Sequence, residues 1–135
     1  MTWTYKGSAY TPPEEVQGYV YLITNLTNGK KYIGKKNFWT TKKLPPLKGK
    51  VNRRHKTSPS DWMDYYGSSD NLQADVTLLG KHSFKREILK LCTNKTMMSY
   101  WETKLQFEYD VLTRSDFYNE FISCRINSRG LRDEP

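Results

Sequence analysis

The sequence is poor in several things at once. It has two cysteines, two histidines, no long apolar run, and no acidic residue anywhere between Lys30 and Lys56. Cys92 and Cys124 are too few for a disulfide framework and share no CxxC spacing, which excludes a stapled secreted scaffold and a zinc site. They read as reduced, partly buried thiols of a cytosolic protein. Mean hydropathy is −0.82, and no apolar stretch approaches the ~18 residues of a membrane span. The opening MTWTYKGSAYTPPEE lacks the charged-then-apolar order of a signal peptide, so the expected location is the cytoplasm. At 135 residues the chain is about one domain, with room for a modest core.

What is present is positive charge. Twenty-two Lys and Arg against 14 Asp and Glu give +8, an excess that favours polyanionic partners through steering and counterion release. The gap in acidic residues is where that charge gathers. Lys30, Lys31, Lys35, Lys36, Lys42, Lys43, Lys48, Lys50, Arg53, Arg54 and Lys56 follow one another uncompensated, with Phe38 and Trp39 among them. Cations interleaved with aromatics suit a surface that tracks phosphates, with DNA as the expected partner.

Periodicity sketches an α+β order. Residues 1–17 carry Thr11-Pro12-Pro13 and little pattern, an N-terminal arm or packed extension. Tyr19-Val20-Tyr21-Leu22-Ile23 reads as a strand, Asn28-Gly29 as the turn, and Lys31-Tyr32-Ile33-Gly34-Lys35 as its partner. Residues 37–57 read as a long basic loop, longer than ordinary connections and for that reason functional. Ser58-Pro59 starts a short helix through Trp62 and Tyr65 to Gly67. A second helix runs from Ser68 through Leu72, Val76 and Leu79 to Gly80. Residues 84–91 form a third strand. Asn94 or Thr96 then caps a longer helix bearing Met98, Trp101, Leu105, Tyr109 and Leu112 at helical spacing. The expected fold is an about three-stranded antiparallel or mixed sheet flanked by helices, over residues 18–128, followed by a tail at 129–135.

The hairpin carries the chemistry. A Tyr-x-Tyr pair on a strand places Tyr19 and Tyr21 on one face, where the phenols line a cleft with Tyr32. Tyr19-Val20-Tyr21 followed, 11 residues from Tyr21, by Tyr32-Ile33-Gly34 resembles the paired signature of the GIY-YIG nuclease superfamily. Tyr19 stands where that signature has glycine, and Gly18 lies one place early unless the strand bulges.

The resemblance implies phosphodiester hydrolysis with one divalent metal, Mg²⁺ or Mn²⁺, leaving 5′-phosphate and 3′-hydroxyl ends. It implies a GIY-YIG-like fold in which a helical carboxylate binds the metal. Glu102 fits, because Met98, Leu105 and Tyr109 put it beside the apolar stripe, where an uncompensated charge is costly. Glu108, one turn from Lys104, suits a surface salt bridge. Tyr21 or Tyr32 would activate water, its pKa lowered by Lys30, Lys31, Lys35 and Lys36. The cation on the scissile phosphate is expected to be Arg54 or Arg53, ahead of Lys42, because guanidinium grips phosphate bidentately. His55 is a candidate proton shuttle, and Asn119, with Asn127 as fallback, would complete the site. Tyr19, Gly34, Lys35, Lys36, Lys42, Lys43, Lys50 and Lys56 are expected along the nucleic acid.

Lys35-Lys36 after the signature, Trp62 with Tyr65-Tyr66-Gly67-Ser68-Ser69, and Tyr100-Trp101-Glu102 are similar to phage-encoded Seg-type homing endonucleases, which would place the protein in the host cytoplasm. Those enzymes append a DNA-binding region that a chain ending at Pro135 leaves no room for. Specificity is then expected from the basic loop, the arm or a partner, or cleavage is structure-directed. Double-strand cutting would call for a homodimer or sequential nicking. A catalytically silent DNA- or RNA-binding module, and an interaction subunit anchored by Trp62, Tyr65 and Tyr66, are the rival classes. The joint presence of Tyr21, Tyr32 and Glu102 favours the enzyme.

Overall fold

The computed structural model describes residues 2–52 and 54–132. Its centre is the expected hairpin. Strand β3 (Gly18–Asn25) pairs antiparallel with β4 (Lys31–Asn37), and the loop between them closes through Gly29 N donating to Asn25 O. The sheet around this hairpin is larger than the three strands expected. It is a mixed five-stranded sheet in the order β2-β1-β7-β3-β4, where β1 is Thr4–Tyr5, β2 is Ser8–Ala9 and β7 is Phe84–Cys92. β1 runs parallel to β7, so the N-terminal residues extend the sheet. Two-residue strands have no periodicity to betray them. Trp3 anchors them instead, buried in the core with its indole N–H donated to Trp62 O at 2.6 Å.

β3 does not bulge. It runs in unbroken register against β4, and the extra residue is Leu89 on β7, between the partners of Val20 and Tyr21. Tyr19 therefore does occupy the glycine position, and Gly18 answers a different need. A Cβ at Gly18 would collide with the Met98 sulfur, because helix α2 (Lys95–Glu108) crosses the sheet there.

Alternation along β3 divides the molecule into two cores. On one face Tyr19, Tyr21 and Ile23 pack with Trp3, Phe38, Trp62, Tyr66 and Leu72, the last from helix α1 (Asp70–Leu79). On the other, Val20, Leu22 and Ile33 pack with Met97, Met98 and the Trp101 and Leu105 side of α2. Asn94 caps α2, its side chain accepting from Met97 N at 2.8 Å, and Ser69 caps α1. Cys92 is buried while Cys124 is exposed, and neither forms a disulfide.

The predicted basic loop is a second sheet. β5 (Trp39–Leu44) and β6 (Arg54–Pro59) form a two-stranded antiparallel ribbon continuing from β4 past the buried Phe38. Its strands have no hydrophobic face, so the pattern that reveals ordinary strands was missing. Ser58 and Pro59 end β6 and do not start a helix. Residues Trp62–Asp64 make a single 3₁₀ turn. The buried Arg86 guanidinium explains why it goes no further. It donates to Met63 O and Tyr65 O, both at 2.9 Å, taking carbonyls that a helix would use, and stacks on Tyr66. Trp62 and Tyr66 are thereby core residues, not the surface anchors that an interaction subunit would present.

Candidate active site

β4 is the outer strand of the five-stranded sheet, and its free edge is where the two faces meet. A cavity of about 430 Å³ opens there. Tyr32 enters it from the α1 side, Glu102 and Gln106 enter from α2, and Ser68, Asp70 and Asn119 complete the wall. No sequence-local pattern brings these residues together, since they come from four separate segments.

At Lys31 the edge pairs with the backbone of residues 116–118, Lys31 N donating to Asp116 O and Tyr118 N to Lys31 O, and at Ile33 it is sealed by side-chain amides. Ile33 N donates to Asn119 Oδ1 at 3.1 Å, while Asn119 Nδ2 and Gln106 Nε2 both donate to Ile33 O, at 2.9 and 3.0 Å. Asn119 thus stands in for a neighbouring strand and satisfies backbone groups that an exposed edge would leave open. It lies in the cavity wall with both polar ends engaged. Asn127 is exposed, accepts from Arg129 N, and does not line the cavity.

The two signature tyrosines have separate fates. Tyr21 is opposite Gly34 in the β3–β4 register, and its ring lies where a Gly34 side chain would be. A Cβ at Gly34 would strike the Tyr21 hydroxyl, so the glycine exists to let the ring cross the strand. Tyr21 is fully buried, does not line the cavity, and its hydroxyl has no hydrogen-bond partner of good geometry among the described residues, although the Tyr65 hydroxyl is close. Tyr19 is equally buried, against Phe38 and Trp3 at 4.5 and 5.0 Å between ring centroids. The expectation that these phenols line the cleft or touch nucleic acid is corrected, and Gly34 too is buried. Of the three hairpin tyrosines only Tyr32 reaches the cavity, where it shares a 2.9 Å hydrogen bond with Ser68.

Electrostatics follow burial. Burial pushes the Tyr32 phenol above its ordinary value, the Ser68 hydrogen bond opposes the rise, and the Glu102 carboxylate adds to it. Burial raises both Tyr19 and Tyr21 well above the ordinary phenol range. The expected lowering by adjacent lysines is absent because those lysines are directed elsewhere. Lys30 lies over the Tyr118 ring, Lys31 pairs with Asp116, and Lys36 pairs with Asp61 beneath the Tyr65 ring. Lys35 alone acts on the site: its Nζ donates to Ser99 Oγ at 2.8 Å, and its charge draws the Glu102 carboxyl down against the burial that raises it.

Glu102 makes no hydrogen bond or ion pair among the described residues. Glu108 is the exposed partner of Lys104, as its spacing suggested. No three His, Cys, Asp or Glu side chains cluster among the described residues, so an all-protein metal cage is not formed there. Glu102 is the half-buried carboxylate of a wall that also carries the exposed Asp70 and Glu120, and it matches the other way a hard cation is held, by one carboxylate together with water and phosphate oxygens.

The cations expected on the scissile phosphate are elsewhere. Arg54 and His55 lie on β6, exposed, with Arg54 Nε donating to Pro45 O. Lys42, Lys43 and Lys56 are exposed on the ribbon, and Lys50 lies in the bend at its tip. None of these lines the cavity. Arg53 lies outside the described residues. Ser68, Asp70 and Gln106 are among the wall residues that sequence reasoning missed. Gln106 was available as the residue one helical turn beyond Glu102, whereas nothing local marked Ser68.

The family described as "Putative endonuclease segE, GIY-YIG domain" matches residues 3–122 of the chain. A curated relative, "Putative endonuclease segD" of Enterobacteria phage T4, is 32% identical over 108 residues, which cover 80% of this chain and 39% of that protein. The chain thus spans about two fifths of the length of the curated relative it matches. No solved structure matches it. No helix among the described residues is long and apolar enough to cross a membrane.

Proposed function

The chain belongs to the Seg-type GIY-YIG endonuclease family, and from that premise we propose that it hydrolyses phosphodiester bonds of double-stranded DNA in the cavity at the free edge of β4. The observation that carries this reading is the meeting of Tyr32 and Glu102. They arise on opposite faces of the sheet, share one cavity, and are electrostatically coupled there.

Glu102 would hold Mg²⁺ or Mn²⁺, which supplies Lewis-acid polarisation of the scissile phosphate and stabilises the departing 3′-oxygen. The carboxylate's raised pKa marks how poorly the site solvates its charge, and so how much a bound cation stabilises it. Tyr32, neutral at physiological pH, orients the attacking water. Its oxygen accepts the proton the water loses while its own proton passes to Ser68, which is exposed and hands it to solvent. Lys35, not Arg54 or Lys42, faces the negative charge that grows on the phosphoryl oxygens, acting as a point charge. Asn119 and Gln106 hold Ile33, and with it Tyr32, in place. One such cavity cuts one strand, so a double-strand break takes two copies of the chain or two visits.

Plasmid relaxation in Mg²⁺, Mn²⁺ or EDTA, with the unaltered protein and Glu102→Ala, tests the reading. Metal-dependent nicking that falls by about 100-fold or more in the variant is the expected result. Salt-sensitive DNA binding by both proteins with cleavage by neither would replace it with the binding-module reading.

A further inference from the structure

The ribbon is built against its own stability. In the β5–β6 register Lys42 stands directly opposite Lys56, and Lys43 opposite His55. Like charges directly opposite one another in an antiparallel pair destabilise it. Leu44 faces Arg54 at the next position on the Lys42 side. Alternation therefore gathers Lys42, Lys56 and Arg54 on one face of the ribbon and Lys43 and His55 on the other. Lys42, Lys43, Lys56 and Arg54 have no carboxylate partner among the described residues. Both strands are exposed over most of their length, and a lone two-stranded ribbon is marginal in water.

Its base, in contrast, is fixed. Phe38 is fully buried, Trp39 donates its indole N–H to Val16 O at 2.9 Å, and Ser60 N donates to Phe38 O at 2.8 Å. A rigid root under an uncompensated, one-sided cationic blade is the arrangement of a docking element whose counter-charge comes from a partner.

We propose that the β5–β6 ribbon is a DNA-docking arm that lays its Lys42–Lys56–Arg54 face into the major groove. The proposal rests on the nuclease reading above and deepens it. The major groove, about 12 Å wide, admits a two-stranded ribbon, whereas an unaltered minor groove of about 6 Å does not. At the tip Val51 is 93% exposed and Leu47 51% exposed, apolar groups placed to meet thymine methyls. DNA is favoured over an acidic protein because the ribbon continues the strand that carries Tyr32. Ten residues separate Tyr32 from Lys42, at most ~33 Å of extended chain, which is about one helical turn of duplex. A duplex held in the cavity therefore passes within reach of the ribbon.

Equilibrium binding of a labelled duplex, about three helical turns long, in EDTA across a salt series tests this without any cleavage. Lys42→Ala/Lys56→Ala is compared with Lys85→Ala/Lys95→Ala, which removes the same charge from exposed positions off the ribbon. The ribbon pair is expected to flatten the slope of log K against log salt by about 1.8 and to weaken binding roughly tenfold or more, since each phosphate contact is worth about 0.9 in slope. The off-ribbon pair is expected to leave the slope unchanged. Equal slopes for both pairs, an unchanged slope for the ribbon pair, or binding of an acidic peptide in preference to duplex would each overturn the proposal. Loss of the nuclease reading shows separately, as a failure of the unaltered protein to cleave in Mg²⁺.

Discussion

Two regions of this molecule grow from the same strand and are built on opposite principles. At one end of β4, Tyr32 enters a cavity where it meets Glu102, both half-buried, in a wall drawn from distant segments. Past the other end, beyond Phe38, the ribbon is exposed, local in sequence and dense in cations that face one another. The cavity concentrates a few perturbed groups where water is scarce, which is what bond breaking requires. The ribbon keeps its charges solvated until a polyanion arrives, which is what steering and docking require. One strand links a site that must be dry to a surface that must be wet.

Substitutions sharpen the contrast in order of effect. The largest separates the two signature tyrosines. Tyr32→Phe removes the phenol that shares the cavity with Glu102 and its bond to Ser68, and is expected to slow single-turnover cleavage by about 100-fold. Tyr21→Phe removes a buried hydroxyl that has no well-formed hydrogen bond, so folding stability should stay within about 1 kcal/mol, with cleavage much closer to that of the unaltered chain. Parallel cleavage and denaturation curves for the two variants check this; equal losses of cleavage would mean that Tyr21 also reaches the substrate. A smaller effect probes the ribbon. Lys42→Glu places a carboxylate opposite Lys56 and is expected to stabilise the fold by roughly 0.2–1 kcal/mol while weakening duplex binding. Chemical denaturation and binding titrations measure the two changes. A destabilised variant would show that the like-charge pair costs nothing in this fold.

How much of this was legible beforehand follows the same division. Patterns local in sequence were readable: the Tyr21–Tyr32 hairpin, the Asn94 cap, the carboxylate of Glu102 beside an apolar stripe, and the acid-free stretch. Features made by the fold were not. That Tyr21 lies over Gly34 is a cross-strand relation, invisible when both tyrosines are counted along the chain. Asn119 was singled out, but its pairing with Ile33 depends on β4 being an edge strand. Arg86 falls within the expected third strand with nothing local to single it out, yet buried among Trp3 and Tyr66 it fixes the turn that delivers Ser68 to Tyr32. The ribbon was misread as a loop because its strands bury no side chains for periodicity to register. The arginines were placed by expectation at the phosphate, and Arg54 stands instead near the ribbon tip.

The most direct test of this division is single-turnover cleavage of one duplex across a range of protein concentrations, by the unaltered chain, Glu102→Ala and Lys42→Ala/Lys56→Ala. Glu102→Ala is expected to bind the duplex yet cleave about 100-fold or more slowly at every concentration, while the ribbon pair shifts the half-maximal concentration upward by about tenfold or more. A rate for Glu102→Ala that reaches the unaltered protein's at saturating concentration, or a curve for the ribbon pair that superimposes on the unaltered protein's, would contradict the account.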